Sequence, residues 1–354
     1  MKFQDAHGDM YVPNSYLAFD DILLKPQKSK FNSRLDPRIS ICGYAGNIPI
    51  ISANMDTVTG VNMARCMNDL GGLGILHRFF RSEDEYAQSI YDLMQNISRF
   101  AFCVGCGAKW IKFAEQIMRS CHANHKPIVC LDVAHGHMQQ SLETVAELKK
   151  IDNLHVIAGN VATAEGALDL AEAGADAIKV GVGSGSVCTT RIVTGHGVPQ
   201  LTAIMQVRSA LDTIDRHVYL IADGGIRNSG DIIKSLAAGA DAVMLGNLLA
   251  GCDETPGEIY TTKDGSFKMY RGQSSRHFLK DIGKIGVAAE GESIEIRAKG
   301  SAESIINELV GGIRSGMTYS GCATIAELQD NAVAIEISHH GFVESTPHAL
   351  SRNR

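Results

Sequence analysis

The sequence predicts an α/β chain closed into a (β/α)8 barrel (a TIM barrel) with a flap inserted after the eighth strand. Three observations carry this. Eight short apolar, β-branched runs recur between residues 49 and 247, their starts 22 to 28 residues apart with one longer gap. The runs are continuous rather than alternating, as in parallel strands buried on both faces. Polar residues gather where the runs end, the edge at which such barrels place their chemistry.

In order the runs are "PIISANMD" (49–56), "LGILH" (73–77), "FAFCVG" (100–105), "PIVCLDVA" (127–134), "HVIAGNV" (155–161), "AIKVGVG" (177–183), "VYLIADGG" (218–225) and "AVMLGN" (242–247). Helical periodicity fills the intervals, most clearly at 163–177 and 229–242. Thr163 and Ser229 read as N-caps, and an Ala-Gly-Ala stop closes each segment. A doubly wound open sheet is the competing fold, but no G-x-G-x-x-G follows the first run. The expectation is a single barrel domain over 1–354, with a loop on the catalytic face at about 181–200 and a flap at about 252–300. A helix near 301–315 and a mobile tail after about 335 complete it.

Composition bounds the function. Of 354 residues, 45% are hydrophobic and 20% charged, enough for a sizeable core. The 33 basic residues against 39 acidic ones give a net charge of −6, which argues against a nucleic-acid or anionic-membrane partner. No apolar run approaches the ~20 residues of a membrane span, and the opening lacks a basic-then-apolar signal, so a cytoplasmic protein is expected. Nine scattered cysteines suggest no disulfide framework. The C-x-x-C of Cys103 and Cys106 closes an apolar run and reads as two half-buried thiols rather than a redox pair.

The longer gap holds "GSGSVCTTR" (183–191). A thiol in a glycine-rich loop has little to pack against. Cys188 therefore reads as a nucleophile more readily than as an incidental residue, with the Thr190 hydroxyl two positions on. "DGG" (223–225) and "LGN" (245–247) close the last two runs, either as a phosphate-binding corner at helix N-termini or as two tight left-handed turns. Asp223 suits ribose hydroxyls. His135 and His137 lack a third metal ligand nearby and read as substrate, cofactor or turn contacts. "SHH" (338–340) reads as solvated surface, and "SRHFLKD" (275–281) as surface or buried with equal weight.

Together these pieces resemble the IMP dehydrogenases and GMP reductases over essentially the whole chain. The residues carrying the resemblance are "FDDILLKP" (19–26), "SANMDT" (52–57), "GNVAT" (159–163), "KVGVGSGSVCTTR" (179–191), "GVPQ" (197–200), "DGGIRNSGD" (223–231), "VMLGN" (243–247) and "GGIRSGMTYSG" (311–321). The resemblance implies a loop cysteine that attacks C2 of a purine nucleotide and an adduct that exchanges hydride with a nicotinamide. Dehydrogenases usually carry a pair of regulatory CBS modules between the second and third strands, and a long flap with an Arg-Tyr pair. Here 24 residues (78–101) separate His77 from Phe102, and the segment 270–291 is short, so the reductase pattern fits better. "DVAHGH" (132–137), "GGIRNSGD" (224–231) and "ESTPH" (344–348) look more like bacterial dehydrogenases, as Arg276-His277-Phe278 does if it is a shortened Arg-Tyr pair. Val287 stands where reductases have an arginine.

Carried over residue by residue, the resemblance implies catalysis by Cys188, Thr190 and Glu290. It implies that Asp223, Gly224, Gly225, Gly246 and Asn247 hold ribose and phosphate, and that Gly272, Gln273, Ser274 and Gly291 face the purine. Arg78, Asp132, Val133, Ala134, Val182, Gly183, Ser315, Gly316, Met317 and Thr318 would line the path of NADPH (NAD in a dehydrogenase). Ser33 and Arg34 would reach the cofactor from a neighbouring subunit of a homotetramer. A potassium ion would rest on Gly183, Gly185 and Cys188 near Arg191. A nucleotide-binding relative without catalysis is the third reading, and the Cys188-Thr190-Glu290 set counts against it.

Overall fold

The computed structural model describes residues 1–34, 46–284 and 286–347; His348 of the "ESTPH" motif and the residues after it lie outside these. The chain opens with three short strands, β1 (Lys2–Gln4), β2 (Met10–Tyr11) and β3 (Ile22–Leu24). Eight parallel strands follow: β4 (Ile50–Ser52), β5 (Leu73–Leu76), β6 (Ala101–Val104), β7 (Ile128–Asp132), β8 (His155–Val161), β9 (Ala177–Val180), β10 (Tyr219–Asp223) and β11 (Ala242–Leu245). Each pairs with its sequence neighbour, and β11 pairs with β4, so the barrel is closed. All eight fall on the eight apolar runs. Closure leaves no free edge, which is why runs this apolar are tolerated.

Around the barrel pack α1 (Val61–Asp69), α2 (Glu83–Met94), α3 (Ala108–Arg119), α4 (Gln139–Leu148), α5 (Ala164–Glu172), α7 (Gln200–Leu211) and α8 (Ser229–Ala237), while the short α6 (Thr190–Thr194) lies in the loop after β9 and buries none of its residues. Thr163 caps α5 through a side-chain bond from Gly166 N, as expected. The cap of α8 is Asn228, not Ser229: the Asn228 side chain accepts from Asp231 N. Ser229 is already the first helical residue. Both helices stop at the expected glycines, Gly174 and Gly239, which take φ of 111° and 120°.

After β11 come β12 (Tyr260–Thr262), β13 (Gly265–Arg271), α9 (Arg276–Asp281) and β14 (Ser293–Arg297), the three strands forming an antiparallel sheet. Residues 252–300, expected as a flap, thus hold a folded antiparallel sheet. The chain ends in α10 (Ala302–Tyr319), α11 (Ile325–Asn331), β15 (Val333–Glu336) and α12 (His339–Glu344). The expected tail after 335 is therefore structured at least to Glu344. β15 lies between β1 and β3 in a four-stranded sheet that joins the two ends of the chain. Among residues 275–281, Phe278 and Leu279 are buried while Arg276 and His277 are exposed. His339 and His340 are exposed, as read from the sequence. Cys103 is fully buried, Cys106 partly so, and both are free thiols.

The fit between barrel and outer layer is tight at Gly74 on β5, where a Cβ would lie 2.5 Å from the Ala64 Cα of α1. Gly74→Ala is expected to lower stability by about 1–3 kcal/mol through this overpacking, seen as a lower midpoint in urea unfolding.

Candidate active site

The loop after β9 brings Cys188 to the barrel mouth. Its glycines have local reasons. Gly183 takes φ of 74°, and Gly224 (φ 93°) lets the β10 turn press on the loop, since a Cβ there would meet Ser184 Oγ at 2.5 Å. Ser184 Oγ donates to the Asp223 carbonyl at 3.0 Å and Gln200 Nε2 to the same oxygen at 3.2 Å. The cysteine loop and the Asp223-Gly224-Gly225 turn are thus one packed unit. Within the loop α6 starts just after Cys188, a helical turn that the sequence reading took as plain loop.

The flap side supplies the other half. The Cys188 thiol donates to Thr190 Oγ1 at 3.1 Å, and Thr190 Oγ1 donates to Glu290 Oε2 at 2.8 Å. Main-chain bonds hold the pairing: Thr189 N to Glu290 O at 2.8 Å, Glu292 N to Val187 O at 2.8 Å, and Glu290 N to Ser274 O at 3.0 Å. Gly291 bridges both Cys188 and Ser275, and Gly272 N donates to the Glu292 carbonyl. Gln273 Nε2 donates to the Asn54 carbonyl at the end of β4. Cys188, Thr190, Glu290, Gly272, Gln273, Ser274 and Gly291 are therefore brought together across a hundred residues of sequence.

The two glycine corners differ. Gly224 and Gly225 take left-handed φ of 93° and 79°, but Gly246 does not. Gly246 is needed for closeness instead: a Cβ would sit 3.1 Å from the Tyr270 hydroxyl. Only a helical turn follows it, and the Asn247 carbonyl accepts from Lys299. Val133 and Ala134 continue β7, with Val133 N donating to the Gly159 carbonyl. His137 Nε2 pairs with Asp169 of α5 at 2.7 Å, a contact between the loop after β7 and the helix layer.

Arg78 stacks over Phe79 (4.4 Å) and Trp110 (5.5 Å), and its Nη2 reaches the Asp132 carbonyl at 3.4 Å. Its Nε is buried without a partner among the described residues, a donor that a bound cofactor's acceptor would satisfy. The residues at this edge fit a nicotinamide cofactor on that ground. Ser315, Gly316, Met317 and Thr318 lie elsewhere, on α10 against the outside of α8, where Met317 is buried and a Cβ on Gly316 would strike Ile233. Ser33 and Arg34 are exposed on the N-terminal segment. Arg191 donates to the Val198 carbonyl at 2.7 Å, and Gly185 O accepts from Cys188 N at 3.1 Å. Among the described residues no group of three His, Cys, Asp or Glu could hold a metal, so a cation in this loop would rest on carbonyls.

Further side chains around the site were not singled out from the sequence. Tyr270, buried, shares a 3.1 Å hydrogen bond with Ser186. Arg271 clamps the flap base to Asp56 at 2.6 Å and to Asp281 at 2.5 Å. Lys179 binds Asp132 and Asp223, and a lysine inside the run "AIKVGVG" was a signal available from the start. Asp20 and Asp231 both hold Arg227, tying two of the resemblance motifs together.

The comparisons decide the family. A family model described as IMP dehydrogenase / GMP reductase domain matches residues 16–348. The chain belongs to the IMP dehydrogenase / GMP reductase family. It is 35% identical to an inosine-5'-monophosphate dehydrogenase of Borreliella burgdorferi across 95% of this chain and 98% of that one. It is 36% identical to the enzyme of that name from Cryptosporidium parvum across 94% of each. Among solved structures, a cysteine-to-alanine variant of GMP reductase from Trypanosoma brucei, in complex with guanosine 5'-monophosphate, superposes with a TM-score of 0.85. Identity there is 27%, over 95% of this chain and 98% of that one. Members of this family are oxidoreductases that act on purine nucleotides with a nicotinamide cofactor. No helix among the described residues is long and apolar enough to cross a membrane.

At the end of β5, His77 is 6% exposed and stacked on Phe80, and its Nδ1 accepts from Phe79 N. Burial pulls its pKa from 6.5 down to about 4, helped by Arg271. The unfolded chain therefore binds a proton between pH 6.5 and about 4 that the folded protein refuses, and stability falls as pH drops through that window. His77→Asn, which can still accept from Phe79 N, should shrink the loss of stability between about pH 7.5 and about pH 4.5 by up to about 3 kcal/mol in urea titrations.

Proposed function

We propose that this chain is a GMP reductase, converting GMP to IMP and ammonia with NADPH as the hydride donor. The observation that carries the reading is the unbroken path from the Cys188 thiol through Thr190 to Glu290. Its donors point toward the carboxylate, so the thiol proton moves through the Thr190 hydroxyl onto Glu290 and leaves a thiolate. The thiolate adds to C2 of the purine. The same path then returns a proton to the 2-amino group, because an amide anion cannot depart at neutral pH and ammonia can. The C2–N bond breaks and a Cys188 thioimidate remains. When bound, the reduced nicotinamide supplies the hydride that lets C2 release sulfur. Asp223 accepts from the ribose hydroxyls, and the Gly224-Gly225 turn and Gly246 hold the phosphate.

The second reading is an IMP dehydrogenase without CBS modules, which the names of the sequence relatives favour. Either reading accommodates a connection from β5 to β6 that contains only α2; against the dehydrogenase stand the shorter chain and the placement of Arg276 and His277. The alignment with the Borreliella burgdorferi enzyme runs over 405 residues, more than the 354 here, so that relative carries segments this chain lacks. Arg276 and His277 open α9 on its exposed side, an unsupported place for a pair that would activate water at Cys188. We further propose a cytoplasmic homotetramer. The exposure of Ser33 and Arg34 suits a contribution to a neighbouring subunit's cofactor. Potassium on the carbonyls of Gly183, Gly185 and Cys188 belongs to the same reading.

Incubation with GMP and NADPH should consume reduced nicotinamide, followed by its near-ultraviolet absorbance, while IMP with NAD gives no signal; the reverse result assigns the dehydrogenase. Cys188→Ala should abolish turnover yet still bind GMP in calorimetry. Thr190→Val and Glu290→Gln should each lower kcat by about 10²–10⁴-fold, the usual weight of positioned proton transfer.

A further inference from the structure

One charged side chain of the barrel interior has no part in the chemistry above. Lys179 lies on β9, is 3% exposed, and donates to Asp132 Oδ1 at 2.7 Å and to Asp223 Oδ2 at 3.0 Å. The register explains how it spans them. Asp132, Gly159 and Lys179 sit side by side on β7, β8 and β9. Any Cβ at Gly159 would lie 2.7 Å from the Lys179 Cβ, so the missing side chain clears the way across the middle strand. On the other flank Ile221 is the Lys179 partner, and Asp223 is two residues further on the same face of β10.

A second donor shares the load on Asp223: Asn160 Nδ2 gives to the same Oδ2 at 2.9 Å and to the Gly181 carbonyl at 2.8 Å. The result is asymmetric. One oxygen of each carboxylate is tied down inside the barrel. Asp132 Oδ2 and Asp223 Oδ1 have no hydrogen-bond donor among the described residues, and neither is buried away from the mouth. The other titratable groups around this cluster are Cys130 and Cys103 beneath it, Tyr270 over Asp223, and Arg78 at the Asp132 carbonyl. Burial opposes the ammonium charge, but Asp132 and Asp223 outweigh it and hold the lysine protonated well above its ordinary range.

We infer that Lys179 is a positioning residue that keeps Asp132 and Asp223 ionised as a pair and turns one oxygen of each toward the barrel mouth. Asp223 Oδ1 is then a fixed acceptor for a vicinal diol, which deepens the reading of Asp223 as the ribose contact and rests on it. Two carboxylates this close cannot both stay charged in a half-buried site without a cation between them. Without Lys179 they share a proton, and the diol acceptor is lost as pH falls.

The test is calorimetric binding of IMP without cofactor, at about pH 6 and about pH 8, always as a ratio to the unsubstituted protein so that titration of the nucleotide phosphate cancels. Lys179→Met should bind about tenfold more weakly at the lower pH than at the higher one, the effect of a carboxylate pKa raised by about three units. Adding Asp132→Asn leaves one carboxylate, still held by Asn160, and should remove that slope. A flat ratio in Lys179→Met, or a slope that persists in the double variant, overturns the inference. Should the single variant not fold, the charge-balanced double variant decides alone: level binding supports the inference, and no binding at either pH overturns it. Failure of the unsubstituted protein to bind IMP would instead sink the nucleotide reading on which both rest.

Discussion

At Gly291 the backbone passes closely between the cysteine loop and the 272–275 turn. A Cβ there would lie 3.3 Å from the Val187 carbonyl oxygen and 3.4 Å from Ser275 N. This crossing makes residue 290 a neighbour of residue 190. A side chain there would crowd the crossing by a few tenths of an ångström and strain the main-chain bonds from Thr189 to Glu290 and from Glu292 to Val187. That strain would bear on the fixed relation of Glu290 to Thr190. The proton path depends on that relation, because a hydroxyl relays a proton only when both partners are within hydrogen-bond reach.

The barrel answers a different demand. Its interior carries charge as well as apolar side chains, and an isolated ammonium there would be costly. Closing the sheet brings β7, β9 and β10 close enough for one lysine to meet two carboxylates, with Gly159 as the gap between. Outside the barrel, Asp20 and Asp231 grip Arg227, and Lys234 donates to the Phe19 carbonyl, so the N-terminal segment is pinned to α8 just behind the Asp223 turn. The charged clusters inside and outside meet the same turn from opposite sides, which makes it a rigid base for the cysteine loop.

Much of this was legible in the sequence because it is local. A parallel strand buried on both faces reads as a continuous apolar run, and each of the eight was found that way. The cysteine loop was found because glycine and serine give a thiol nothing to pack against. What escaped depends on contacts between distant residues. The sheet joining β1 to β15 pairs Lys2 with Val333, and neither two-to-four-residue strand has a pattern of its own. Asn228 took the cap from Ser229 because two adjacent residues can both cap, and only the first turn of α8 decides between them. Lys179 was visible as a charge inside an apolar run, but nothing local says which carboxylates it meets.

The choice between ammonia and water as the departing or entering group turns on how the flap is anchored. Phe278 of α9 is buried edge-on against Phe79 at 4.6 Å, with the Arg271 guanidinium over its other side at 5.4 Å. Arg271 is in turn held by Asp56 at the end of β4. A short helix pinned at its centre by an aromatic contact and at its base by an ion pair presents its first residues, Arg276 and His277, to solvent. For that pair to activate water, the helix would have to give up both anchors. Glu290 needs no such movement, since its carboxylate already accepts from Thr190. Under the proposed reductase reading this arrangement is sufficient, because the Thr190–Glu290 bond is already made while α9 stays anchored and a departing ammonia needs only a proton delivered along it.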